Sequence, residues 1–403
     1  MKILIIAYFF PPTNTIGALR PYGWAKYWAE AGHDVAVLTT SPIPHLLTNP
    51  TNNIEKFSTL SVPHNDLLTR VKYKLKQFLG KKKYPIPSLT DLWWLKAYNQ
   101  VKHNNYDLIV STYGPYINHL IAYLIKQTHK NSKWVLDYRD PWVNNNYLHV
   151  NKFTSYFYKT LEKQFTKRGT IITSVSNQIT EELKNRNNLK NVYTLYNGYD
   201  KSEITNLPKY KYWNDNKIRL LYTGTIYKNM RDPTPLFLAM QRIYNSNKEI
   251  EKFLEVLFVG YETDFIRLLL KNFTDIEKVI KIIPPVSREK CLHMQRDAHS
   301  LIFLENEANV ATVTGKLFEY LISGTMILGI GISDQTTPGE IIKNANAGIN
   351  FGINHKAIQD YLETLIENKN KPIANINYEY LEQFDKKNLS MKLLQLVENI
   401  ENH

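Results

Sequence analysis

Residues 3–40, ILIIAYFFPPTNTIGALRPYGWAKYWAEAGHDVAVLTT, decide how the chain folds. The apolar run 3–10 is short, continuous and rich in isoleucine and aromatics, which suits a parallel strand covered on both faces. Pro11 and Pro12 end it. After Gly17, the positions Leu19, Tyr22, Trp24, Ala25, Trp28 and Ala29 have helical spacing, with Pro21 expected in the first turn and Gly32 placed to terminate the helix. Residues 35–38 then read as a second strand. This is a β-loop-α-β unit, and the N-terminus of its helix offers unpaired amides and a partial positive charge to an anion.

Two other readings of the opening are weaker. Lys2 and the apolar run fit a secretion signal, but the Pro-Pro pair and its bulky neighbours do not fit a small-residue cleavage site. A dinucleotide-binding Rossmann unit needs three glycines in G-x-G-x-x-G to bring a pyrophosphate to the backbone, and only Gly17 is present.

At 403 residues and 43% hydrophobic, the chain is long enough for two ordinary domains and too apolar for disorder. Its single cysteine, Cys291, excludes an internal disulfide and a cysteine metal site and fits a reducing, cytoplasmic compartment. No apolar run approaches the roughly 18 residues of a membrane span. The formal charge of +13 is unevenly placed: residues 1–200 carry 25 Lys and Arg against 12 Asp and Glu, whereas residues 201–403 carry 25 of each. The densest part is RVKYKLKQFLGKKK, 70–83, with seven basic and no acidic residues; Leu68 just before it joins Val71, Leu75, Phe78 and Leu79 in an apolar stripe. Such a segment suits an anionic membrane surface, each cation contributing about 1 kcal/mol close to it, with a solvated basic helix whose apolar face packs on its own domain as the plain alternative. Tyr84, Trp93, Trp94 and Tyr98 nearby favour the same interface. No nucleic-acid-binding module is recognisable, so no nucleic-acid partner is expected.

Strand-like runs recur at 107–111, 134–137, 170–176 and 192–198, and again at 218–225, 254–260, 279–285, 300–304, 326–331 and 347–351, separated by segments with helical character. The alternation predicts an α/β chain of two Rossmann-like domains, 1–198 and 218–385, with a polar linker at 199–217 and a final helix within 386–403. Ligands bind beyond the carboxyl ends of such strands, so two facing domains would define one cleft.

In the second half, YTGTIYKNMRDPTPLFLAM leaves a strand at Gly224 and passes Lys228 and Arg231 before a helix, a setting for a diphosphate. Further on, TGKLFEYLISGTMILGIG puts Lys316 and Glu319 on the first turns of a helix that ends near Gly324. An amphipathic surface helix with an i,i+3 ion pair is the plain alternative.

YFFPPTNTIGALRPYGWAKYWAEAGHDVAVLTT, WVLDYRDPW, SVSNQI, LYNGYD, LYTGTIY and KLFEYLISGTMIL, taken in order, resemble the motifs of the retaining GT4 family of GT-B-fold glycosyltransferases, most closely bacterial members that build capsule or O-antigen (lipopolysaccharide) repeat units. The resemblance implies that Gly17 approaches the donor diphosphate and that Arg139 and Asp140 face the donor sugar or acceptor as the catalytic candidates. It implies that Gly224, Lys228 and Arg231 hold the diphosphate, with Lys316 as a second phosphate contact, and that Glu319 binds the ribose hydroxyls. One position departs from the family pattern: the first glutamate of E-x7-E falls on Ala311, and neither Glu305 nor Glu307 is in register. No D-x-D is present, so cationic side chains take the place of a metal ion, and no cofactor is expected.

The implied reaction is a front-face displacement from a UDP-sugar, with GDP as the alternative, to a lipid-linked or growing surface-polysaccharide acceptor by an enzyme peripheral at the inner membrane surface. The departing phosphate can take the acceptor proton. The rival readings are a nucleotide-sugar epimerase or hydrolase on the same scaffold and a non-catalytic sugar-nucleotide or polysaccharide-binding subunit.

Overall fold

The computed structural model describes residues 1–13, 15–41, 56–63, 92–143, 152–226, 230–261, 263–305, 313–372 and 374–400. The chain forms two compact units, one of Met1–Tyr196 with Lys386–His403 and one of Asn197–Asp385.

The first unit is built on seven parallel strands: β1 (Lys2–Ile6), β2 (Asp34–Thr40), β3 (Ser58–Val62), β4 (Leu108–Thr112), β5 (Lys133–Tyr138), β6 (Ile171–Ser174) and β7 (Val192–Thr194). Their order is β3-β2-β1-β4-β5-β6-β7, with every pairing parallel. Ile3, Leu4, Ile5 and Ile6 are fully buried, as expected of a central strand covered on both faces. The strand stops at Ile6, while Ala7, Tyr8 and Phe10 stay buried in the following loop. The first helix runs Ile16–Glu30. It begins before Gly17, so Pro21 lies in the second turn rather than the first. The bond it forfeits points to the carbonyl of Gly17, near the helix end, where the loss matters least. β3 was not expected from the sequence: STLSV offers only two large apolar residues, and four of its five residues remain at least partly exposed at the sheet edge.

The last helix, Lys386–Asn399, belongs to this unit. Leu389, Leu393, Leu394 and Val397 join Trp24, Ala25 and Trp28 in one apolar cluster. Trp28 donates its indole N–H to the Ser390 carbonyl at 2.9 Å.

The second unit has six strands: β8 (Ile218–Thr223), β9 (Leu254–Val259), β10 (Ile280–Ile283), β11 (Ser300–Leu304), β12 (Met326–Ile330) and β13 (Gly348–Gly352). Their order is β10-β9-β8-β11-β12-β13, again all parallel. Residues 199–217, polar enough to suggest a linker, lie within this unit. Tyr199 is buried, bridges to Asp385 and donates its hydroxyl to the Leu381 carbonyl. A short helix follows at Lys201–Thr205.

Each sheet reverses its winding once, between β1 and β4 in the first and between β8 and β11 in the second. Chain segments diverge to opposite faces at such a switch point, leaving a crevice beyond the carboxyl ends of the strands. Gly17, at the start of the helix after β1, and Gly224, directly after β8, lie at these places.

Candidate functional site

At the first switch point, an arginine one turn into the first helix turns inward. Arg20 is buried; its Nε and Nη2 grip both oxygens of Asp137 at 2.7–3.2 Å, and its Nη1 donates to the Tyr196 carbonyl at 2.8 Å. Asp137, fully buried at the end of β5, also accepts from Thr112 Oγ1 on β4 and Thr173 Oγ1 on β6, both at 2.8 Å. One carboxylate therefore ties the helix to three strand ends. Every partner is polar and hydrogen-bonded, the condition under which a buried ion pair is tolerated.

Two residues on, Arg139 reaches back over the helix start. A Cβ on Gly17 would lie 1.6 Å from Arg139 Nη1, and a Cβ on Gly114, which follows β4, would lie 2.7 Å from Nη2. Glycine is needed at 17 because the guanidinium occupies the side-chain position. Arg139 Nε donates to Asp140 Oδ2 at 3.2 Å, and Asp140 is more exposed than its partner. Gly17, Arg139 and Asp140, three of the sequence candidates, thus form one charged group at the positive end of a 15-residue helix.

The second group is built around Gly224, directly after β8. Its φ of +110° is one that glycine adopts without strain, and a Cβ there would sit 3.0 Å from Lys316 Cε. Tyr320 receives the Thr223 backbone N–H at 2.9 Å, and Gln295 donates to Thr223 Oγ1 at 2.9 Å, so the strand end is held firmly. Lys316 opens the Gly315–Ile322 helix. It is not free on a surface: the side chain is buried, with Nζ 3.7 Å from the centre of the Tyr222 ring. Among the described residues Nζ has no hydrogen-bond partner, and neither has the buried Oγ1 of Thr314 at the helix start. Burial, and next the positive charge of Arg231, pull the Lys316 pKa well below the usual lysine value, against the opposite pull of Glu305, Glu319 and Cys291.

Arg231 is held by the Thr225 carbonyl at 2.7 Å and by Glu305 Oε1 at 3.2 Å. Burial raises the Glu305 carboxyl above its ordinary pKa, while Arg231 and Lys316 oppose the shift. Glu319 Oε1 accepts from Arg288 Nη1 at 2.6 Å, and Arg288 grips Glu203 through Nε and Nη2, both at 2.7 Å. Glu319 is not paired with Lys316, as the plain amphipathic-helix alternative would have it; its ion-pair partner is Arg288. Burial pushes the Cys291 thiol up to about 12, which leaves it an inert neighbour at neutral pH.

Gly224, Arg231, Lys316 and Glu319 are brought together at the ends of β8 and β11. Lys228, Ala311 and the basic run 70–83 lie outside the described residues. Sequence reading missed Arg288, Glu203 and the role of Glu305. Glu305 was set aside because it is out of register with the motif, yet directly after β11 it was placed to face the loop after β8.

Two parallel-sheet α/β units, each with polar and charged groups at its strand switch point, are the units of the GT-B fold. Residues 22–203, just under half of the chain, match the family model described as Glycosyltransferase Family 4. No curated protein matches it in sequence. Among solved structures, sucrose-phosphate synthase from Thermosynechococcus elongatus is similar with a TM-score of 0.69 at 13% identity, covering 100% of this chain and 99% of that one. Anabaena HepE in complex with UDP-glucose gives 0.59 at 12%, covering 100% of each. The UDP-GlcNAc 2-epimerase of Methanocaldococcus jannaschii gives 0.59 at 14%, covering 99% of this chain and 100% of that one. At such identities the likeness is one of fold.

Proposed function

We propose that the chain moves a sugar, with retention of its anomeric configuration, from a nucleoside-diphosphate donor, UDP-linked in the first instance, to a lipid-linked or growing surface-polysaccharide acceptor. The observation that carries the donor part is a pair of buried groups, Lys316 Nζ and Thr314 Oγ1, that have no hydrogen-bond partner among the described residues, with the charge of Arg231 close to Lys316 at the switch point of the second sheet. Buried polar atoms are normally satisfied, and the oxygens of a diphosphate would supply what these two lack. Glu319 keeps one carboxylate oxygen for the ribose while Arg288 fixes the other. The fold is shared with a protein holding UDP-glucose, in support of the same donor class.

In this reading the diphosphate leaves as Lys316 and Arg231 meet the charge growing on it. The acceptor hydroxyl attacks from the same face and gives its proton to the departing phosphate oxygen. Arg139 and Asp140, on the first unit, bind and orient the sugar or the acceptor. The cations do the work that a metal ion would do, so donor binding needs no divalent ion.

UDP or GDP is therefore expected to raise the melting temperature in the presence of EDTA, since a ligand that binds only the folded protein stabilises it. Equal shifts with AMP, NAD and UDP, or a shift seen only with magnesium or manganese, would overturn the donor assignment. The epimerase reading is favoured by the fold it shares with the Methanocaldococcus enzyme. It requires a changed sugar to appear when UDP-GlcNAc is supplied without acceptor, whereas transfer requires none.

The acceptor part rests on the charge of residues 1–200. No helix among the described residues is long and apolar enough to cross a membrane, so contact through the basic run 70–83 would be peripheral. The full chain should co-sediment with vesicles containing anionic lipid and be released by salt, the charges being screened beyond about 8 Å at physiological ionic strength. A variant with Lys72, Lys76, Lys81, Lys82 and Lys83 changed to Gln should lose this binding. Retention by the variant, or indifference of the wild type to anionic lipid, would point to a soluble acceptor.

A further inference from the structure

The Lys316 side chain presents a contradiction that a ligand would resolve. An ammonium has three N–H donors and is among the costliest groups to bury unpaired. Lys316 is 6% exposed, lies against the face of Tyr222 and has no hydrogen-bond acceptor among the described residues. The ring face offers some attraction to a cation but accepts no conventional hydrogen bond.

The groups around it do not settle the charge by themselves. Tyr222 comes from β8, and Arg231, a permanent cation, comes from the loop after β8. Glu305 at the end of β11 is already engaged by Arg231. Glu319, one turn along the same helix, is engaged by Arg288. Cys291, on the neighbouring Arg288–Asp297 helix, stays a neutral thiol at neutral pH. Both carboxylates that could neutralise Lys316 are thus paired to arginines, and one of those arginines also repels it.

We propose that Lys316 rests as a neutral amine in the free protein and takes one proton from solvent when the donor diphosphate binds, so that nucleotide binding and protonation of this lysine are one coupled event. The inference rests on the donor reading above. The balance is simple: the amine, one solvent proton and the nucleotide give an ammonium bound to phosphate oxygen, and the proton returns to solvent when the nucleotide dissociates. The protein thereby avoids holding a bare buried cation between turnovers and makes the charge where the leaving group needs it.

The sign of the pH dependence follows. Free Lys316 has a depressed pKa, and the phosphate raises it again in the complex. Below the free value the lysine is already charged and binding takes up no proton. Between the free and bound values each binding event takes up about one proton, and affinity falls about tenfold per pH unit.

The test is calorimetry of the full chain with UDP and with GDP, from pH 6.5 to 9.5, in buffers of different ionisation enthalpy. A parallel series uses Lys316→Arg, which keeps the charge and cannot deprotonate in this range. The expected result is a proton uptake by wild type that rises toward about one with pH and is absent from Lys316→Arg. Uptake that persists in the variant would belong to Glu305 or to the nucleotide and would overturn the assignment. Binding with no uptake at any pH would mean a permanently charged lysine and would overturn the coupling while leaving the donor reading intact. If neither nucleotide binds, the donor reading fails first. Should Lys316→Arg misfold by circular dichroism, Lys316→Gln takes its place and must bind UDP more weakly, with no pH-dependent uptake.

Discussion

Asp137→Ala will destabilise the first unit by about 3–5 kcal/mol, the cost of leaving a buried charge without its partner. The substitution strands the Arg20 guanidinium, which among the described residues retains the Tyr196 carbonyl and the face of Trp24, and it removes the acceptor of the Thr112 and Thr173 hydroxyls. Urea unfolding followed by tryptophan fluorescence reads the loss, because Trp24, Trp28, Trp134 and Trp142 are all buried in this unit. The double variant Arg20→Met/Asp137→Leu should recover much of it, since replacing both partners by apolar groups removes the unpaired charge. A loss below about 1 kcal/mol for Asp137→Ala would show that the pair is not the tie between helix and sheet described above.

Gly17→Ala should act in the opposite way, costing activity while sparing the fold. Alanine in a helix is favoured over glycine by roughly 0.5–1 kcal/mol. The new methyl would coincide with Arg139 Nη1, the far end of a flexible side chain, which can swing away without moving backbone. Displacing one charge-assisted contact of about 1.5–3 kcal/mol predicts a fall in kcat/KM of roughly 10- to 150-fold with an unchanged or raised melting temperature. Arg139→Ala should cost about as much, and the double variant hardly more than either alone, because both remove the same group. Losses that multiply would mean that Gly17 contributes something other than room for Arg139.

Much of the fold was legible because parallel strands buried on both faces appear as unbroken apolar runs. Ile3–Ile6 and Ile218–Thr223 are found where such runs were seen, and strands alternating with amphipathic segments allow few topologies. β3 was not legible: an edge strand with one wet face has no continuous run to betray it. Residues 199–217 misled for a related reason, since their polarity hides a few anchoring side chains such as Tyr199.

At the candidate site, the motif resemblance pointed to residues that stand directly after strands or at the first turns of helices, namely Gly17, Arg139, Gly224 and Lys316. It missed the partners that arrive from elsewhere in the chain. Arg288 meets Glu319 from another helix, and Glu203 meets Arg288 from 85 positions away. Nothing in local sequence announces such pairs. Burial was equally hidden: Lys316 reads as an exposed cation on an amphipathic helix, and only the packed Tyr222 ring shows it to be enclosed.

Whether the ends of β8 and β11 hold a nucleoside diphosphate is decided by a crystal structure of the chain grown with UDP in the presence of EDTA. The expected result is a diphosphate oxygen about 2.7–2.9 Å from Lys316 Nζ, with Thr314 Oγ1 also satisfied and the ribose hydroxyls at Glu319. UDP bound elsewhere, with Lys316 Nζ still unpartnered over Tyr222, would contradict it.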